Sequence, residues 1–137
     1  MLYEEEKKGT YSKIAISPFV VSEPKDFLSK AVYDTFSSAV QKESRFQVSS
    51  ETPSSDHINI DSAEEVGKQV QSLNLDGMFV GKLSGPIGDN RLLQVKFYGK
   101  DRKAFVIEKV TKISLKGDLQ KSIQTLVDSC IKELFTN

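Results

Sequence analysis

The sequence holds one histidine, His57, and one cysteine, Cys130, and any general base, activated thiol or zinc ligand of those types must come from this pair. A structural zinc takes about four nitrogen or sulfur ligands, and two residues do not supply them. His57 follows Asp56 within SETPSSDHINI, a stretch of residues that favour turns and solvation, so it is expected to be solvated. Cys130 falls on an apolar helical stripe with no histidine or basic partner evident around it, the setting of a small buried thiol. It has no second cysteine with which to form an internal disulfide. Gly77, Gly81, Gly85 and Gly88 invite comparison with a phosphate-cradling loop. They match neither the P-loop nor the dinucleotide fingerprint, and turns and close packing account for them. Ser37–Ser38 and Ser54–Ser55 have no base beside them, and Glu4-Glu5-Glu6 runs directly into Lys7-Lys8, as a solvated tail does. The residue types predict binding without catalysis, no metal and no cofactor.

The chain's 137 residues fit one domain, and 38% hydrophobic with 28% charged residues is an ordinary globular composition. Lysine plus arginine equals aspartate plus glutamate at 19 each, so no net field gathers nucleic acid or anionic lipid. No apolar run approaches the roughly 18 to 20 residues that span a bilayer, and Met1–Lys8 is charged, unlike a signal peptide.

Residues 1–12 (MLYEEEKKGTYS) have no apolar period and are expected to form a tail or tether ahead of a single domain at 13–137. Lys13 to Val21 opens with β-branched residues and a strand that should end near Ser17, ahead of Pro18. Pro24 marks a helix start, and Phe27, Leu28, Ala31, Val32, Phe36, Ala39 and Val40 recur at helical spacing. Phe46 and Val48 alternate as a short strand, and 50–60 is expected to be a loop. Ser62 with Glu65 matches a capping box ahead of Ala63, Val66, Val70 and Leu73, and Gly67 fits a helix lying close to a sheet. Met78 to Leu83 is a nearly continuous apolar run, expected to be a central strand covered on both faces. Leu93, Val95 and Phe97 alternate with Gln94 and Lys96, as on a half-exposed strand. Ala104 to Ser114 follows with charges on its outer positions, which are expected to discourage edge-to-edge pairing. Asp118 can cap a last helix with Leu119, Ile123, Leu126, Val127, Cys130, Ile131 and Leu134 on one stripe. The order is β-α-β-α-β-β-β-α.

Several local phrases in this order carry a resemblance. Lys13-Ile14-Ala15-Ile16-Ser17-Pro18-Phe19 opens the domain, a helix ends before Arg45-Phe46-Gln47-Val48, and Asp76-Gly77-Met78-Phe79-Val80-Gly81 forms the central strand. Over about residues 13 to 135 the chain resembles the amino-terminal domain of TolB and its relatives among CsgG-type and LpoB-type envelope lipoproteins. The resemblance implies a three-layer α/β/α domain, anticodon-binding-domain-like, with a mixed five-stranded sheet of order 2-1-3-4-5 and strand four antiparallel. It also implies a place in the bacterial periplasm or at the outer membrane, with any membrane attachment through a lipid anchor outside these residues. An envelope protein is the partner it implies.

Two surfaces are the candidate sites. A crevice outside the ends of the first and third strands, where strand order reverses, would be bordered by Pro18, Phe19, Ser84, Gly85 and Pro86, with no charged group expected there. Recognition of a protein partner would use the exposed hairpin Tyr98–Lys103, chiefly Tyr98, Lys100, Asp101 and Arg102, or the loop that carries His57. The leading expectation is a non-catalytic envelope domain that recognises a protein. A small-molecule or peptidoglycan-fragment binder using the crevice is the alternative, and an RNA binder is disfavoured by charge.

Overall fold

A computed structural model of the protein describes residues 11–21, 27–49, 59–87, 90–114 and 117–135. Its elements in chain order are β1 (Lys13–Ile16), β2 (Val20–Val21), α1 (Phe27–Gln41), β3 (Gln47–Val48), α2 (Ala63–Ser72), β4 (Gly77–Ile87), β5 (Asn90–Gly99), β6 (Ala104–Ser114) and α3 (Leu119–Phe135). The expected helix start at Pro24 and most of the loop, with His57, lie outside the described residues.

The strands form one sheet of order β3-β1-β4-β5-β6, with β2 also beside β4. This is the expected order, and β5 runs antiparallel to the other strands. The strand count is six rather than five because the first strand is interrupted. Ser17 N–H still donates to the Phe79 carbonyl at 2.9 Å, but Pro18 has no N–H to offer. Val20 and Val21 then rejoin β4 opposite Lys82 and Leu83, and the β-branched pair forms a strand of its own.

Alternation along β1 and β4 sends side chains into two cores. Ile14, Ile16, Phe79 and Leu83 meet Val32, Phe36, Ala39 and Val40 of α1 and Ile123, Leu126, Val127 and Cys130 of α3. Within this core the Phe79 ring stands edge-on to Phe36 at 5.3 Å and to Phe97 at 4.7 Å, geometries that favour aromatic pairs. Ala15, Met78 and Val80 face the other way and meet Val66 and Val70 of α2, with Ile60, Leu75 and Tyr98.

The start and end of α2 follow its sequence signals. Ser62 Oγ accepts from the Glu65 N–H at 3.1 Å, while the Glu65 carboxylate reaches past the cap to accept from the Asn59 N–H at 2.9 Å, and the Ser62 N–H donates to the Asn59 carbonyl at 3.1 Å. At the other end Asn74 adopts a left-handed φ of 58°, and Leu75 N–H donates to the Val70 carbonyl at 3.0 Å. A Cβ on Gly67 would stand 2.6 Å from Tyr98 Oη, so this glycine lets α2 lie directly on the sheet.

Two expectations need correction. β5 is not half exposed: Lys96 is only 6% exposed, its ammonium 2.9 Å from Asp61 Oδ1 and 4.8 Å from the centre of the Phe105 ring. The residues before α2 cross this face, and nothing in the alternation of β5 announces that cover. Tyr11 and Ser12, expected in the tail, are held against the sheet. Tyr11 is buried edge-on against Phe97 at 5.2 Å, and the Ser12 and Lys13 N–H groups both donate to the Asp76 carboxylate, at 3.0 and 2.9 Å.

Gly77 tests how tightly β4 and β5 are joined. A Cβ there would lie 2.6 Å from the Tyr98 backbone oxygen and closer still to the Phe97 ring, so backbone must move. Gly77→Ala is expected to lower unfolding stability by about 1–3 kcal/mol, the usual range for overpacking, measured by urea denaturation. An unchanged midpoint would show that the two strands are not held at this spacing.

Candidate functional site

The β5–β6 hairpin is built to hold a short charged loop in one place. The Gly99 carbonyl accepts from the N–H groups of Arg102 at 3.2 Å and Lys103 at 2.9 Å, and Lys103 takes a left-handed φ of 54° to close the turn. Glycine or asparagine adopts that conformation at lower cost than lysine. Lys100 N–H donates to the Asp76 carbonyl at 2.9 Å, which fixes the loop to the start of β4. Tyr11 Oη donates to Asp101 Oδ1 at 2.6 Å. Burial, helped by this bond to a carboxylate, holds the Tyr11 phenol well above its usual pKa.

Between this hairpin and α2 lies a groove of about 730 Å3. Glu64, Gly67, Lys68 and Gln71 form its helical wall, Lys100 and Lys103 its hairpin wall, and Tyr98 lies at its base. The arrangement sets three ammonium groups against one carboxylate, and none of the three lysines forms a salt bridge with a described residue. Asn74 and Lys103, the two non-glycine residues with positive φ among the described residues, both line it.

One residue of the expected hairpin surface is placed differently. Lys100, Asp101 and Arg102 are exposed at the turn, but Tyr98 is 6% exposed. Its ring sits under Gly67 and edge-on to Phe105 at 6.0 Å, so it is a floor residue rather than part of an exposed tip.

The expected crevice changes more. Phe19 is buried, packed against Gly81 and edge-on to Tyr33 at 5.1 Å and Phe36 at 5.3 Å, which makes it core. Ser84 and Gly85 stand half-buried in β4, with Gly85 at φ 106°, and Pro18 is half-buried after β1. Pro86 belongs to β4, but its side chain lies outside the described residues. This end of the sheet is not free of charge: Arg91 is 1% exposed, with Nε 3.5 Å from the Ser84 carbonyl. The signal was present in the alternation, since Arg91 precedes Leu93, Val95 and Phe97 on the same face of β5.

Cys130 is fully buried on α3. Burial pushes its thiol up to about 12 against the opposing pull of Lys109, which is itself ion-paired to Glu133. At neutral pH it is a protonated packing group. Among the described residues no group of three or more His, Cys, Asp or Glu is placed to hold a metal ion, and no helix is long and apolar enough to cross a membrane.

No protein-family model and no curated protein sequence matches the chain. Solved structures do resemble it. TolB from Acinetobacter baumannii aligns with a TM-score of 0.67 and 15% identity over 90% of this chain, which spans only 28% of TolB. A lipoprotein from Neisseria meningitidis aligns with a TM-score of 0.58 and 8% identity over 92% of this chain and 98% of its own. The C-terminal domain of LpoB from Escherichia coli aligns with a TM-score of 0.58 and 10% identity over 75% and 82% of the two chains. The protein has the α/β fold shared by these domains, and its structural neighbours include the TolB and LpoB types that the sequence resembles.

The raised thiol gives a stability prediction with a definite sign. Above about pH 8.5 an unfolded cysteine releases its proton, whereas folded Cys130 keeps it until pH about 12. The folded state then binds more protons than the unfolded chain, so stability is level at neutral pH and falls as pH rises through this window. Urea midpoints should decline from pH 8 to 10.5 in the wild type and decline less in Cys130→Ala. Parallel profiles for the two proteins would contradict the assignment.

Proposed function

We propose that the protein is a non-catalytic domain of the bacterial cell envelope that recognises a protein partner within an envelope assembly. The observation that carries this reading is the groove beside the hairpin, where Lys68, Lys100 and Lys103 stand around a tyrosine floor without salt bridges to described residues. Charges placed in this way on a rigid rim steer an oppositely charged partner and fix its orientation more than they add raw affinity. The partner segment is therefore acidic, and Lys100, Asp101 and Arg102 at the turn lie on the same recognition surface. The resemblance to TolB-, CsgG- and LpoB-type domains, together with the fold shared with a neisserial lipoprotein, supports residence in the periplasm or at the outer membrane.

The volume of the groove favours a second reading, because about 730 Å3 lies within the roughly 300–1,000 Å3 usual for small-ligand sites. In that reading a small anionic molecule binds between α2 and the hairpin, and the crevice at the ends of β1 and β4 is not the binding place.

Cross-linking in cells followed by purification from the envelope fraction tests the first reading. The wild type is expected to retain a discrete protein partner. A variant with Lys68→Glu, Lys100→Glu and Lys103→Glu should lose it while keeping its circular dichroism, since all three side chains are exposed. Capture should weaken with added salt, as it does for rim charges. Equal recovery by the variant would defeat the proposal, and a rise in melting temperature with small anions but no captured protein would select the second reading.

A further inference from the structure

We infer that two copies of this chain associate through their β6 edges, antiparallel and with the two-fold axis at Val110. β6 is an eleven-residue strand that pairs with β5 alone, so its other edge carries no strand among the described residues. Long open edges of this kind are templates for pairing with another chain unless charges or cover prevent it. Val110, at 63% exposure, is the one large hydrophobic residue exposed among the described residues, and it stands in the middle of this strand.

The charges on either side make the edge self-complementary. Glu108 and Lys112 are exposed on the same face as Val110, two residues before and after it. Glu108 lies directly opposite Lys96 of β5, but Lys96 is committed to Asp61 at 2.9 Å. Lys112 lies opposite Leu92, which offers no charge. Neither forms a salt bridge with a described residue. An antiparallel partner centred on Val110 sets Glu108 against Lys112 of the partner subunit and Lys112 against Glu108 of the partner subunit, with the two valines between them. Opposite charges directly across an antiparallel pair stabilise it, and like charges destabilise it.

The same charges select the register. A slip of two residues sets a charged side chain against Val110, and a slip of four sets Glu108 against Glu108 or Lys112 against Lys112. On the other face of β6, Lys109 is already held by Glu133 of α3, so the complementarity rests on the exposed face alone. The contact is isologous and closes at two subunits.

Sedimentation velocity across a range of concentrations tests this with the full chain. The wild type is expected to show a reversible monomer–dimer equilibrium. Glu108→Lys and Lys112→Glu should each weaken it at least about tenfold, because the symmetry makes each substitution create two like-charge contacts. The double variant with both substitutions restores the opposite-charge pairs and should return close to the wild-type dissociation constant. Both positions are exposed, and circular dichroism confirms that each variant is folded. A wild type that stays monomeric, an assembly larger than a dimer, single variants with unchanged association, or a double variant that stays monomeric would each overturn the inference.

Discussion

Met78, Phe79 and Val80 are fully buried in succession on β4, so side chains on both faces of that strand must be withdrawn from water. A strand of this kind is stable only in the middle of a sheet with a layer on each side. α1 and α3 supply one layer and α2 the other, and the crossovers β1-α1-β3 and β3-α2-β4 place parallel strands on either side of β1. Burying one phenylalanine or methionine side chain is worth about 1.5–3 kcal/mol, a sizeable share of the whole stability of a domain this size. The rest of the architecture follows from the need to cover this one strand twice.

The helices and the long strands were legible because each buries a stripe or a face that its own periodicity reveals. Val32, Phe36, Ala39 and Val40 on α1, and Ile123, Leu126, Val127 and Cys130 on α3, are core residues at the spacing that predicted them. What remained hidden depends on segments far apart in sequence. Lys96 reads as an outward residue because its neighbours Val95 and Phe97 point inward, and only the passage of Ile60 and Asp61 across that face buries it. Tyr98 looks like the first residue of an exposed turn, but Gly67 brings α2 down onto its ring. Tyr11 sits in a charged stretch, yet its ring finds Phe97 and its hydroxyl finds Asp101, 90 residues away. Strand periodicity assigns a side chain to one of two faces and says nothing about which parts of each face another segment will cover.

This limit explains why the candidate site was seen only in outline. The exposed turn at Lys100–Arg102 was visible as polar residues between two strands, while the groove needs Lys68 from α2 beside Lys100 and Lys103 from the hairpin. No local pattern joins those residues, because their proximity is a product of sheet order and of Gly67. Arg91 is the opposite case: its position in the alternation placed it on the buried face, but an arginine in the interior runs against the expectation that charges stay outside. The chain's balanced charge likewise conceals its local imbalance, since 19 basic and 19 acidic residues still leave three lysines and a single glutamate lining the groove.

The open face that β6 borders arises from a geometric mismatch. α2 has ten residues and spans about 15 Å, whereas β4 and β6 have eleven each and run for roughly 36 Å, so the helix covers less than half their length. Where α2 lies, the sheet face is apolar, and along the helix's flank the hairpin stands clear enough to leave a groove. Beyond its reach the same face turns polar, with Lys82, Glu108 and Lys112 exposed, because apolar residues there would have no layer to meet. Val110 departs from that rule at the sheet edge, where the proposed second copy would cover it. A longer helix would have covered more of the open stretch of face that β6 borders. The short helix costs the domain some burial, and it leaves accessible the stretch of sheet where Glu108, Val110 and Lys112 stand.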